Sequence, residues 1–286
     1  MASIKELKLK VNSLQNTNRI TSAMKMVSSS KLRRSQEAML NYENYAQSLT
    51  DIINQTLKSC EDMQIDLQEE REIKKIRLLI ISSDKGLCGA FNNALNRYGD
   101  KLIQDNWSDI QVEVETLGRK THTFFRKKFP EQEVINYDGL SAKPEYAEII
   151  PIVDKCINDF KKGDIDAVYI IYNQFISMIN QKPTNLQLLP LKFEDFEEAE
   201  KSILFEPEAK ILLEKLIPKY LSSILFNSLL ENQMGEHVAR MTAMENATNN
   251  SQDLIDRYTL LMNRARQSAI TTELTEIVAG AESLEG

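Results

Sequence analysis

Ile76-Arg77-Leu78-Leu79-Ile80-Ile81-Ser82-Ser83-Asp84-Lys85-Gly86-Leu87-Cys88-Gly89 is where the character of this sequence changes. Residues 76–81 are an apolar run broken only by Arg77, the length of a strand buried on both faces. The run ends in a loop that holds Gly86, the first glycine of the chain. No Gly or Pro precedes Gly86 and no Pro follows Pro218; all seven prolines and six of the nine glycines fall in 86–218. These residues end helices and make turns, so their distribution predicts a long helix, a globular middle and a second long helix. The corresponding divisions are residues 1–75, 76–205 and 206–286.

Around the opening strand the middle segment alternates between two periodicities. Val112 to Leu117, Val134 to Asn136 and Ala167 to Tyr172 read as further strands, and stretches near 90–103, 120–129 and 145–160 read as helices. The expectation is an α/β layer with a mostly parallel, Rossmann-like sheet, to which Leu186 to Leu191 adds an edge strand.

The amino-terminal segment carries Ile4, Leu7, Val11 and Leu14 at spacings of 3 and 4, the seam of a coiled coil. From there the apolar stripe slips through Thr17, Ile20, Met24 and Val27 and resumes at Tyr42, Tyr45, Leu49 and Ile52. A helix from about Ser3 to about Leu57 would be roughly 80 Å long and needs a partner along its length. The carboxyl-terminal segment supplies one. Pro218 suits a first helical turn, and Ile255, Tyr258, Met262, Ala265 and Ala269 follow heptad spacing. Between them, Asn246 to Ser251 is small and polar, and reads as a weakened or exposed part of the coil.

Composition narrows the function. The chain has 286 residues, a net charge of -7 and 42% hydrophobic residues, enough to bury a core in one or two domains. Its longest apolar runs are about five residues, such as Ile149 to Val153, where a membrane span needs roughly 18. The start, Met1-Ala2-Ser3-Ile4-Lys5, resembles neither a signal nor a transit peptide. Cys60, Cys88 and Cys156 are far apart and odd in number, which points to a reducing, cytosolic compartment without a disulfide framework or zinc site. Acidic balance also argues against general nucleic-acid binding.

The loop 82–89 stands where a phosphate cradle would sit, but it matches neither G-x-G-x-x-G nor a P-loop. Cys88 would need a His partner to act as a nucleophile, and neither His122 nor His237 lies in a motif. Residues 1–36 carry Lys5, Lys8, Lys10, Arg19, Lys25, Lys31, Arg33 and Arg34 against Glu6 alone, which makes an acidic partner a fair hypothesis. Two further readings stay open on these residues: a nucleotide-binding α/β enzyme that dimerises through its helices, and a coiled-coil scaffold.

Three blocks carry a family resemblance. Gln15-Asn16-Thr17-Asn18-Arg19-Ile20-Thr21-Ser22-Ala23-Met24-Lys25-Met26-Val27-Ser28-Ser29-Ser30-Lys31 is the first, and Ser83-Asp84-Lys85-Gly86-Leu87-Cys88-Gly89-Ala90-Phe91-Asn92 the second. The third is Ala265-Arg266-Gln267-Ser268-Ala269-Ile270-Thr271-Thr272-Glu273-Leu274-Thr275-Glu276-Ile277-Val278-Ala279-Gly280-Ala281. Together they resemble the gamma subunit of the rotary F-type ATP synthase of bacterial type, over the whole chain. The resemblance implies a rotor in which the terminal helices form an antiparallel coiled coil inside a ring of three alpha and three beta subunits. The α/β domain would join epsilon and the c ring, and through that ring associate peripherally with the cytoplasmic face of the bacterial plasma membrane. The subunit itself would bind no cofactor, metal or nucleic acid and catalyse no reaction.

Position by position, the resemblance implies that Met24 faces an acidic lever segment of beta, flanked by Arg19 and Lys25. Arg266 and Gln267 match a pair that meets a catch loop of beta, and Arg240, Thr271 and Glu273 match positions that support coupling. Ile277, Val278 and Ala279 would sit in an apolar bearing at the top of the ring. The acidic ending Glu282-Ser283-Leu284-Glu285-Gly286 departs from the family, and no inserted cysteine pair is present, so thiol switching of the chloroplast kind is not expected.

Overall fold

A computed structural model describes residues 3–58, 66–192 and 209–285. Cys60 lies outside the described residues. In chain order the elements are α1 (Ile4–Lys58), β1 (Lys75–Ile81), α2 (Phe91–Asn106), β2 (Gln111–Leu117) and α3 (Arg119–Lys128), then β3 (Ile135–Asn136), α4 (Tyr146–Lys162), β4 (Ala167–Phe175), β5 (Gln181–Leu189) and α5 (Ala209–Glu285). The chain divides into two compact units, one of residues 1–28 with 241–286 and one of residues 29–240, so each terminal helix contributes to both.

In the larger unit the sheet order is β3-β2-β1-β4-β5. The pairs β1/β2, β1/β4 and β2/β3 are parallel, and β5 closes the edge antiparallel to β4. Alternate residues of β1 serve two cores. Ile76, Leu78 and Ile80 pack with Leu95 and Ile103 of α2 and Phe125 of α3. Leu79 and Ile81 pack with Ile149, Val153 and Phe160 of α4 and with Leu213, Leu221 and Leu225 of α5. With helices on both faces, strand residues have no solvent side, which is why β1 reads as an almost unbroken apolar run. The one charge within residues 76–81, Arg77, is buried among Glu113, Glu115 and Asp159 at 2.7–3.2 Å, and Lys155 reaches Glu115 at 2.6 Å. Burial opposes that guanidinium's charge, but the surrounding carboxylates outweigh it and hold it protonated.

Most predicted elements appear within a few residues of their expected bounds. The edge strand is the exception: it begins at Gln181 rather than Leu186. Gln181-Lys182-Pro183-Thr184-Asn185 is polar and holds a Pro, and an edge strand accepts both because one side needs no ladder donor. Pro218 is the second correction. The helix starts at Ala209, so Pro218 lies inside it and removes one intrahelical donor. Buried Leu213, Ile217, Leu221 and Leu225 on either side anchor the helix, while Glu214, whose carbonyl loses its bond, is exposed. Close approach of α5 is permitted at Gly235, where a Cβ would come within 3.2 Å of Phe91 and 3.3 Å of Gln181.

The long helices also differ from their predicted stripes. Along α1 within the larger unit the buried or half-buried series is Leu32, Ser35, Met39, Tyr42, Ala46, Leu49, Ile53 and Thr56, at alternating spacings of 3 and 4. Tyr45 and Ile52, predicted to face inward, are 45% and 44% exposed, and Ala46 and Ile53 take their places. Tyr42 packs edge-on against Phe226 of α5 at 4.7 Å, and Ser35 donates to Gln233 at 3.0 Å.

In the smaller unit α1 shows Ile4, Leu7, Val11, Leu14, Asn18, Thr21, Lys25 and Ser28 on its covered face, again spaced 3 and 4 without a slip. The expected detour through Thr17, Ile20 and Val27 does not occur; Ile20 and Val27 are 59% and 57% exposed. The seam keeps its period by accepting polar residues. On α5 the series Met244, Thr248, Ser251, Ile255, Tyr258, Met262, Ala265 and Ala269 runs at the same spacing. Ser251 is buried and Thr248 half-buried, so the polar stretch is part of the seam rather than an exposed gap. The helices are antiparallel: Asn18 meets Thr248 and Lys25 meets Glu245. Among the described residues no helix is long and apolar enough to cross a membrane.

Candidate partner-contact site

The smaller unit holds most positions singled out by sequence. Arg19 is exposed and Met24 half-buried on α1. Lys25 is half-buried and paired with Glu245 at 2.6 Å, so its charge is matched within the chain. Beside them Ile20, Met26 and Val27 present apolar side chains to solvent, at 59%, 66% and 57% exposure. Arg33 pairs with Glu37 one turn on at 3.3 Å, so part of the basic half-helix is locally balanced.

Beyond Ala269 every residue of α5 through Ala281 is exposed. This stretch includes Ile270, Leu274, Ile277 and Val278, at 50%, 58%, 68% and 60% exposure. Arg266, Gln267 and Glu273 are exposed as well, and neither Arg266 nor Glu273 has an ion-pair partner among the described residues. Thr271, Thr272 and Thr275 donate their hydroxyls to carbonyls four residues back, at 3.0, 2.9 and 2.8 Å, so each presents a methyl group outward. Ile270, Leu274, Ile277 and Val278 fall within about 100° of one another around the helix, so the result is a helix end with one exposed apolar face. An isolated helix of that kind gains little from water or from its own chain, and such a surface marks an interaction site.

Arg240 lies elsewhere, in the larger unit, and is buried. Its guanidinium donates to the carbonyls of Gly86 and Lys85 at 3.1 Å and pairs with Glu236 one turn earlier at 2.7 Å. The loop that receives it is tightly built. Ser83 donates to the Lys85 carbonyl at 2.7 Å, Asn92 accepts from the Ser83 backbone N–H at 3.1 Å and donates toward Cys88 at 3.1 Å, and Asp84 accepts from the first N–H of α3 at 3.0 Å. Gly118 makes the close turn beneath possible: at φ 134° a Cβ would stand 2.5 Å from the Ser82 carbonyl. Burial pushes the Cys88 thiol up and the Glu236 carboxyl up, and it pulls His237, which also faces Arg240 and Lys31, down to about 4. The loop thus turns carbonyls inward to hold a guanidinium that Glu236 of α5 also pairs, the opposite polarity from a phosphate cradle. At its tip Leu87 holds a left-handed φ of 63° and is 63% exposed, a combination that sequence patterning does not reveal. Among the described residues no group of three His, Cys, Asp or Glu is placed to hold a metal ion.

Known proteins resemble this chain along nearly its whole length. A family profile described as ATP synthase matches residues 3–284. The ATP synthase gamma chain of Pelotomaculum thermopropionicum is 38% identical over 287 residues, covering all of both chains. That of Haemophilus influenzae is 38% identical over 292 residues, covering 99% of this chain and all of its own. Among solved structures, a chain of the Euglena gracilis mitochondrial ATP synthase rotor superposes with a TM-score of 0.65 at 21% identity, covering 93% of this chain and 98% of that one. A chain from the Tetrahymena thermophila mitochondrial ATP synthase central stalk and c ring has a TM-score of 0.60 at 24% identity, with 80% and 99% covered. On the strength of the full-length family match and full-length relatives, the chain belongs to the ATP synthase gamma chain family, the non-catalytic central-stalk rotor subunits of that enzyme.

Proposed function

We propose that this chain works as the shaft of a bacterial proton-translocating ATP synthase, carrying torque between a c ring and a catalytic head of three alpha and three beta subunits. Epsilon joins it at the α/β region, and the whole sits peripherally on the cytoplasmic face of the plasma membrane through the c ring. The functional divisions are residues 1–75, 76–205 and 206–286. The observation that carries this reading is the far end of α5, where Ile270, Leu274, Ile277 and Val278 are all exposed, because apolar surface of that extent implies a covering partner. Ile277, Val278 and Ala279 form the bearing, and Arg266, Gln267, Thr271 and Glu273 the contact with a beta subunit.

Arg19 and Met24 meet beta lower on the shaft, with Lys25 beside them. Exposed ion pairs contribute roughly 0.2 to 1 kcal/mol each, so a basic face biases orientation without holding the rotor in one position. Arg240 acts indirectly: by binding the Lys85 and Gly86 carbonyls it fixes the loop that presents Leu87. A tagged copy of the chain, recovered from native membranes and assayed by mass spectrometry and ATP hydrolysis, should bring alpha, beta and epsilon with activity. Recovery of the chain alone, where the synthase stays intact, overturns the reading. Met24→Lys should assemble normally but pump fewer protons per ATP; equal coupling removes Met24 from the contact.

A further inference from the structure

In the smaller unit, the middle of the seam between α1 and α5 is polar, and its polar groups are paired across the helices. Asn18 donates from Nδ2 to the Thr248 carbonyl at 2.9 Å, the Thr248 hydroxyl donates to Thr21 at 2.7 Å, and Lys25 meets Glu245 at 2.6 Å. We propose that Thr21, Lys25, Glu245 and Thr248 are positioning residues that lock the register of α1 against α5, and so set where the exposed end of α5 stands. The apolar positions cannot do this alone. Two helices with heptad stripes can slide by one repeat and still bury apolar groups, and polar seam residues are the usual means of forbidding that slide.

The forbidden states can be read from the sequence. A slide of seven residues sets Thr21 against Met241 or Ile255 in place of Thr248, so its hydroxyl keeps the bond to the Asn18 carbonyl at 3.1 Å but loses the one it accepts across the seam, and meets an apolar side chain instead. The same slide sets Lys25 against Val238 or Gln252 in place of Glu245, so the residue facing it is not a carboxylate in either direction. Asn18 discriminates less, because it bonds a main-chain carbonyl that every residue of α5 offers. The lock therefore rests on the hydroxyl pair and the ion pair. Thr21 is only 8% exposed, so mispairing there cannot be relieved by solvent without opening the helices. For the function, one repeat is about 10 Å of travel along the helix, enough to carry Arg266 and Gln267 away from any partner built to receive them.

The test uses the full chain in the assembled complex, with native cysteines replaced and spin labels on exposed Lys10 and Thr242, whose separation runs mainly along the helix axis. In the parent, pulsed electron resonance should give one distance. The triple variant Thr21→Val, Lys25→Met, Thr248→Val should add a second population displaced by about 10 Å. Exchange of the pair, Lys25→Glu with Glu245→Lys, should return the distribution toward a single peak, while Lys25→Glu alone should broaden it. Retention of the single parental distance in both the triple variant and Lys25→Glu overturns the lock. The role in rotation rests on the proposed function and is read separately, as protons pumped per ATP. A displaced population with undiminished coupling supports the lock and counts against the assigned role of Arg266 and Gln267.

Discussion

The two halves of α5 are one helix in two environments. From Leu213 to Arg240 its core-facing positions are fully covered, with Leu221, Leu225 and Val238 at 0% exposure, because one side packs on a sheet layer shared with α4. From Met241 onward the seam against α1 is narrow and partly polar, and past Ala269 nothing in the described chain covers the helix. The first half is stabilised by its own protein. The second is left uncovered past Ala269 by the described chain, and it is this surface that the proposed bearing would cover.

That contrast can be broken from the well-packed side first. Phe160→Ala, in the core between α4 and β1, should lower unfolding stability by about 4 kcal/mol in urea titration. Ile255→Ala in the smaller unit should cost under half of that, about 1 to 2 kcal/mol, because the narrower seam can close around it. Equal losses would mean that the two regions are alike in packing. Arg240→Ala should cost about 3 kcal/mol, since Glu236 would stay buried without its cation and two carbonyls would lose their donor. Arg240→Ala combined with Glu236→Gln should recover part of that loss, and no recovery would show that the ion pair is not the main term.

A pH series sharpens the comparison further. His237, held down to about 4 by burial and by Arg240 and Lys31, is neutral in the folded chain and protonates near pH 6.5 when unfolded. Its contribution is therefore present above about pH 6.5 and is lost as the pH falls toward 4. His237→Asn should flatten that part of the stability profile of the larger unit by on the order of 2 kcal/mol. An unchanged slope would mean that His237 titrates normally in the folded chain. The smallest effect belongs to the smaller unit: Lys25→Ala should cost less than about 1 kcal/mol in stability, because the pair with Glu245 is half exposed.

The fold was largely legible because its signals are local. Helix and strand periods, and the placement of Gly and Pro, mark α1, β1 and α2 almost residue by residue. Errors arose where a long-range partner overrides local pattern. The stripe through Ile20 and Val27 was more apolar than the true seam through Thr21 and Ser28, and only a partner such as Thr248 or Glu245 reveals why the polar face is covered. Pro218 lies inside the helix because buried Leu213, Ile217, Leu221 and Leu225 anchor the turns on either side of it, which no single-residue preference shows. The roles proposed for Arg266 and Ile277 rest on family resemblance, since local pattern shows only that the helix there is exposed. An exposed residue with positive φ, such as Leu87, leaves no trace in hydropathy.

The most direct measurement is hydrogen–deuterium exchange of the chain, free and within the assembled synthase. If the end of α5 is a covered bearing, backbone amides of residues 270–281 should exchange rapidly in the free chain and slow at least tenfold on assembly, while β1 and α4 remain protected in both. Equal exchange of that segment in the two states would contradict the account.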